Sequence, residues 1–169
     1  MTQALLVPDT AKHTLAGKYL TFTLHGESYG IEVLKVREII RHAAITPVPQ
    51  MPEHVRGVVN LRGKIIPVMD LRMRFRFPVT VGSEHTCIVV TQVKLSDGKV
   101  TSMGLVVDGV EEVVNIAAAD IEETPNFGVQ VAVDYILGMA KAKGAVKVLL
   151  DIDRVVGVDA LKLLKLPTA

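Results

Sequence analysis

Five histidines (His13, His25, His42, His54 and His85) and one cysteine, Cys87, are the residues with which this 169-residue chain would bind a transition metal or run nucleophilic chemistry. None of the histidines stands at ligand spacing to another histidine or to the cysteine, and a zinc site needs several such donors converging on one point. Cys87 lies in the apolar run TCIVV and reads as a small buried hydrophobe rather than a reactive thiol. Asp70, Asp151 and Asp153 are the carboxylates best spaced for paired acid and base work, yet each follows a strand-like run, where a carboxylate caps the next turn. Serine-centred nucleophile motifs, dinucleotide fingerprints and phosphate loops are missing, and Gly26, Gly57, Gly63, Gly98, Gly104 and Gly109 stand singly. The expectation is a chain with no catalytic residues, no metal and no cofactor.

Binding chemistry is better represented. Arg62 sits beside Gly63 between two aliphatic runs, GVVNL and KIIPVMDL, so that a planar donor is held at a hairpin tip, where it bonds a carboxylate or a helix-end carbonyl, or else is simply a solvated turn charge. In RMRFRF, Arg72, Arg74 and Arg76 alternate with Met73, Phe75 and Phe77. Such interleaving would serve a small barrel that binds nucleic acid, which is the alternative function. Against it stand 19 basic and 18 acidic residues, a net charge of +1, 4% aromatic residues and no tryptophan, which deny nucleic acid or anionic lipid a long-range field. A single cysteine rules out an internal disulfide and fits a reducing cytoplasm. The amino terminus has no early basic cluster and Pro8 breaks its short apolar patch, so neither a signal peptide nor a membrane span is expected.

The elements that must position these residues are strands. The 27 valines and 11 isoleucines fall in short runs between glycine turns, which favours sheet over helix. YLTFTL, HGES and YGIEV read as a hairpin; LKVREII reads as a helical turn or, preferably, an extended arm with a tight bend; three prolines, Pro47, Pro49 and Pro52, make a rigid connector. Asp108-Gly109 carries a hairpin signal, and Asp153 and Asp159 are placed to cap short helical turns reaching Leu166.

The chain also repeats itself. RGVVNLRGKIIPVMDLR, from Arg56, returns at Leu137 as LGMAKAKGAVKVLLDID with a spacing of 81 that sets Gly57 on Gly138, Gly63 on Gly144 and Asp70 on Asp151. YGIEVLKVREI returns as MGLVVDGVEEV with a spacing of 74, setting Gly30 on Gly104, Val36 on Val110 and Glu38 on Glu112. Two ungapped matches in the same order point to a duplicated fold, the alternative being that valine-rich strands with glycine turns align by chance. Halves of about 70 residues have thin cores, so they should pack together and share apolar surface. The fold class expected is all-β with minor helix: two tandem five-stranded SH3-like antiparallel barrels. Residues 1–16 form a flexible tail, 17–80 a first barrel, 81–152 a second, and 153–169 a helical end.

GVVNLRGKIIPVMDLR, with FTLHGESYGIEVLKVREI before it and MGLVVDGVEEVV after it, resembles the chemotaxis coupling proteins, the CheW family. The likeness runs from about Lys18 to Val155, and NLRG followed by PVxDLR is its specific part. The resemblance implies two SH3-like barrels with a hydrophobic groove between them and no enzymatic activity. It implies a cytoplasmic adaptor that bridges the tips of transmembrane chemoreceptors and the regulatory domain of the histidine kinase CheA, associated with receptor arrays through protein contacts. Carried across by motif, receptor contact falls on Val36, Arg62, Val89 and Val107, and kinase contact on Glu38, Gly57 and Met139. Lys143 replaces Arg62 in the second half, so only the first half is expected to make the hairpin contact.

Overall fold

A computed structural model describes residues 15–41, 43–78, 85–95, 97–122 and 135–157. Strands β1 (Gly17–Leu24) and β2 (Glu27–Glu32) form the expected hairpin, with Tyr19 opposite Glu32. The chain leaves β2 through a 3-10 turn, Val33–Lys35, and continues as β3 (Val36–Ile40), so LKVREII is a bend followed by a strand. Strands β4 (Val55–Leu61) and β5 (Lys64–Asp70) make the Arg62-Gly63 hairpin, followed by one helical turn, α1 (Leu71–Arg74). The second half supplies β6 (Cys87–Lys94), β7 (Val100–Val107), β8 (Gly109–Ile116), the short β9 (Ile121–Glu122), β10 (Ile136–Ala142) and β11 (Ala145–Leu150), then a helical stretch over 152–157. The proposed tail up to residue 14 and the cap at Asp159 lie outside the described residues, as do residues 123–134 between β9 and β10.

The chain is mostly β and forms two sheets, as expected, but the halves are not separate. One sheet has the order β8-β1-β2-β11-β10-β9 and the other β3-β6-β7-β5-β4. Each half gives its first hairpin to one sheet and its arm and second hairpin to the other. Contiguous barrels at 17–80 and 81–152 therefore give way to an interleaved arrangement. At the bend between β2 and β3 the 3-10 turn Val33–Lys35 leads the chain out of one sheet, and β3 pairs with β6 in the other. Asp108-Gly109 behaves likewise. Instead of a hairpin it carries the chain from β7 in one sheet to β8 in the other. The sheets are also not purely antiparallel, because β5 lies parallel to β7 and β11 parallel to β2.

Alternate residues point to opposite faces, and in β1, β6 and β7 both faces are covered, so runs of four or five consecutive residues are buried. Leu20, Phe22 and Leu24 of β1 join Val89, Leu105 and Val107 of β6 and β7 in one core shared by the two sheets. Tyr19, Val114 and Leu149 form a smaller cluster behind the first sheet, and Val59, Val68 and Val90 one behind the second. The shared apolar surface expected of two thin halves is this common core.

Tyr19 is 1% exposed and donates to the Leu15 carbonyl at 2.6 Å. Burial first, and the Glu32 carboxylate second, push its phenol up to about 12. The unfolded chain loses that proton near 10 while the folded one keeps it, so stability should fall as pH rises from 10 to 12, by about 1.4 kcal/mol for each step of one in pH. Urea unfolding at pH 9 and pH 11 should show a smaller decline for Tyr19→Phe than for the parent chain; equal declines would assign the effect elsewhere.

Candidate docking site

The tip of the β4–β5 hairpin is a two-residue turn in which both Arg62 (φ 54) and Gly63 (φ 84) are left-handed, the geometry that matches strand twist. Asn60 steadies it by accepting from the Gly63 amide at 2.9 Å. Arg62 reaches back to β3 and grips Glu38 with both guanidinium ends, Nη1 to Oε1 at 2.8 Å and Nη2 to Oε2 at 3.0 Å. The Arg62 side chain is 76% exposed and that of Glu38 27%. Hydrogen bonding and charge from Glu38 raise the Arg62 pKa above its usual value. The two strands also leave Ile39 and Ile65 in solvent, and Val36, half-buried at the start of β3, packs against the common core. Val36 and Glu38 thus lie on β3, and Arg62 reaches Glu38 from the tip of the β4–β5 hairpin.

The other sequence candidates lie elsewhere. Val89 and Val107 are fully buried in the common core, so they line no open groove; a partner reaches them only through the strands they support. Gly57 sits at a bulge in β4 with φ 138, where a Cβ would lie 2.0 Å from the Thr46 carbonyl oxygen. That place demands glycine for backbone packing. Met139 is half-buried in β10 of the other sheet, opposite Val148 of β11 and Glu122 of β9.

The second half repeats the turn and its ion pair, with Lys141 in place of Asn60. Lys143 (φ 52) and Gly144 (φ 76) form the turn, and Lys143 pairs with Glu112, the counterpart of Glu38. Exposed Val113 and Val146 stand where Ile39 and Ile65 stand in the first half. A cavity of about 370 Å³, whose walls include Glu112, Val113, Lys141 and Lys143, opens beside them. Replacing NLRG with KAKG therefore keeps the internal ion pair and changes its cation from a planar fork to a point charge.

Sequence reasoning missed the buried charges around RMRFRF. Arg72 is 5% exposed and binds Asp70 through Nε at 2.9 Å and Nη2 at 2.8 Å, and Asp108 through Nη1 at 3.2 Å. Asp70 caps α1 by accepting from the Arg72 amide at 3.0 Å and also meets Arg56 at 3.3 Å. Phe75 stacks on Tyr135 and Tyr29, and Phe77 on His25. The segment that resembled a nucleic-acid platform has spent its aromatic rings, and Arg72, on internal contacts. The one sequence signal for this was Asp70 directly before LRMR, an N-cap in front of a helical turn.

Two interleaved β domains, with satisfied buried charges and an exposed arginine-carboxylate tip, define a protein-binding module. The CheW-like domain family matches residues 18–159. The chain is 34% identical over 157 residues to chemotaxis protein CheW of Klebsiella aerogenes, covering 93% of this chain and 92% of that one. It is 30% identical over 144 residues to protein FrzA of Myxococcus xanthus, covering 82% and 85%. The crystal structure of scaffolding protein TtCheW from Thermoanaerobacter tengcongensis superposes with a TM-score of 0.72 at 31% identity, covering 83% of this chain and 92% of that one. The chain belongs to the CheW family, and with that family it is a non-enzymatic scaffold or adaptor of chemotaxis signalling. Among the described residues no helix is long and apolar enough to cross a membrane.

Proposed function

We propose that this chain couples the cytoplasmic tips of transmembrane chemoreceptors to the regulatory domain of the histidine kinase CheA, working in the cytoplasm on the face of receptor arrays. The observation that carries the reading is the Arg62–Glu38 pair: a bidentate donor, exposed at a rigid tip and flanked by aliphatic side chains. A receptor helix with a carboxylate or a free carbonyl end competes with Glu38 for that guanidinium. Arg62 and Val36 serve the receptor and Glu38 the kinase, so the pair joins the two contacts. Gly57 acts on kinase contact by holding β4 against Thr46. Met139, on the opposite sheet, offers a second kinase contact. Val89 and Val107 shape the site from beneath.

Arg62→Ala should leave the fold intact and weaken receptor binding by on the order of tenfold, as expected for a desolvated anchor. Calorimetry with a receptor tip fragment measures it, with the isolated kinase regulatory domain as a second ligand. Equal receptor affinity for mutant and parent chain would remove Arg62 from the contact, and binding to neither ligand would end the coupling reading.

A further inference from the structure

Each half carries an ion-pair clamp at its bend, and the two have opposite polarity; at the spacing of 74, Asp108 falls on Leu34, one residue before Lys35. Where β7 bends into β8, Asp108 accepts from the His25 amide at 2.8 Å and pairs with Arg72, which follows β5. Where β2 bends into β3, Lys35 pairs with Asp153, which follows β11, at 2.8 Å. Asp153 also accepts from the Lys94 amide, at the end of β6, at 2.8 Å, as Asp108 does at the end of β1. Position 153 is the repeat partner of position 72, at the spacing of 81. In one clamp the bend supplies the anion and the segment after the second hairpin supplies the cation; in the other the signs are exchanged.

That exchange matters because the ladders on which the two second hairpins dock are alike. Each docks by a short parallel ladder: β5 on β7 through Val68–Gly104 and β11 on β2 through Leu149–Gly30. The buried residues at the two joints are near-equivalents: Gly30 and Gly104, Ile31 and Leu105, Met69 and Leu150, Leu71 and Ile152. Volume-conserving exchanges of this kind are the ones cores tolerate best. The connector of the first half does not forbid it either. Residues 41–54, between β3 and β4, span roughly 45 Å when extended, against a sheet separation of about 10 Å. The tip pairs do not discriminate, since Arg62–Glu38 and Lys143–Glu112 have the same polarity.

We propose that the opposed polarity of the Arg72–Asp108 and Lys35–Asp153 clamps dictates which second hairpin docks on which strand. With the hairpins exchanged, Arg72 would face Lys35 and Asp153 would face Asp108. Both contacts would be repulsive: Arg72, which keeps Asp70 of its own hairpin, would trade its second carboxylate for a like charge in a place almost wholly out of water. Apolar patterning builds the two sheets, and these four charges choose their partners.

The test inverts the more exposed clamp in the full chain. Lys35→Asp with Asp153→Lys keeps an ion pair in the native arrangement but makes the exchanged one equally well paired. A neutral variant, Lys35→Met with Asp153→Asn, loses the same bond without rewarding the exchange. After refolding from denaturant, the parent chain and the neutral variant should show only Val68–Gly104 and Leu149–Gly30 backbone Overhauser contacts. The inverted variant should show a second resonance set, in about a tenth of molecules or more, with Val68–Gly30 and Leu149–Gly104 contacts. If the inverted variant fails to fold, Lys35→Glu with Asp153→Arg, whose longer arms reach solvent, replaces it. A single native set in the folded inverted variant, or exchanged contacts in the neutral one as well, would overturn the proposal.

Discussion

Gly57→Ala is expected to cost this protein its fold rather than one contact. The added Cβ would sit 2.0 Å from the Thr46 carbonyl oxygen, 2.7 Å from its carbon and 2.9 Å from the Pro47 Cα, all of them backbone atoms that no rotamer change can move. The left-handed φ of 138 adds strain for any residue with a side chain. Relief requires breaking the reciprocal bonds between Thr46 and Val58, at 2.8 and 2.9 Å, which tie the proline-rich connector to β4. We expect a loss above about 4 kcal/mol, comparable with the whole stability of a small domain. Gly138 is the internal control. Its φ is not left-handed and its Cβ would meet the Glu122 carbonyl oxygen at 3.0 Å, so Gly138→Ala should cost about 1 to 3 kcal/mol, within the range of overpacking. Soluble yield and urea unfolding of the two variants decide the matter; a folded, stable Gly57→Ala protein that only lost kinase binding would restore Gly57 as a direct contact.

This changes how the family resemblance is read. A motif marks a position as important without saying whether it touches a partner. Of the seven residues carried across, Glu38 and Arg62 meet in one ion pair, Val36 lies two residues before Glu38 and packs against the common core, Gly57 is held by backbone packing, and Val89 and Val107 are fully buried. Met139 lies on the other sheet. Alternating apolar residues revealed the strands because alternation directly reports a strand with distinct faces. The Arg62-Gly63 tip was legible for a similar reason: a short turn between aliphatic runs needs residues that accept a left-handed backbone. Asp108-Gly109 carried the same local signal and became a bend between sheets, because Asp108 is held by Arg72 and by the His25 amide, two partners far away in sequence. The interleaving was hidden by the duplication itself. Both halves have the same strand pattern, so hydrophobic periodicity is silent about which hairpin joins which sheet.

Neutralising the carboxylate at the centre of the buried network should show how much the fold depends on it. Asp70 is 0% exposed and receives Arg72 Nε, Arg72 Nη2, the Arg72 amide and Arg56 Nη1. Asp70→Asn keeps an acceptor for the α1 cap but removes the nearer of two counter-charges from a guanidinium that has almost no access to water, leaving it Asp108 alone. Breaking a buried pair from one side costs about 3 to 5 kcal/mol when the remaining charge is stranded; Asp108 still faces Arg72, so the loss should lie toward the lower end of that range. Arg56, with a side chain 43% exposed, can turn to solvent, so the penalty falls on Arg72. Removing both charges, as Asp70→Asn with Arg72→Met, should therefore be less damaging than Asp70→Asn alone, since a flexible apolar side chain fills the space and no charge is left buried. Asp108 loses one partner in the double variant but keeps the His25 amide and lies partly in water. Chemical denaturation of the two singles and the double, read as a double-mutant cycle, should give a coupling of at least about 1 kcal/mol. Additive costs would mean that Asp70 and Arg72 act through packing alone, and that the charges at the joint of the two sheets have no part in holding it.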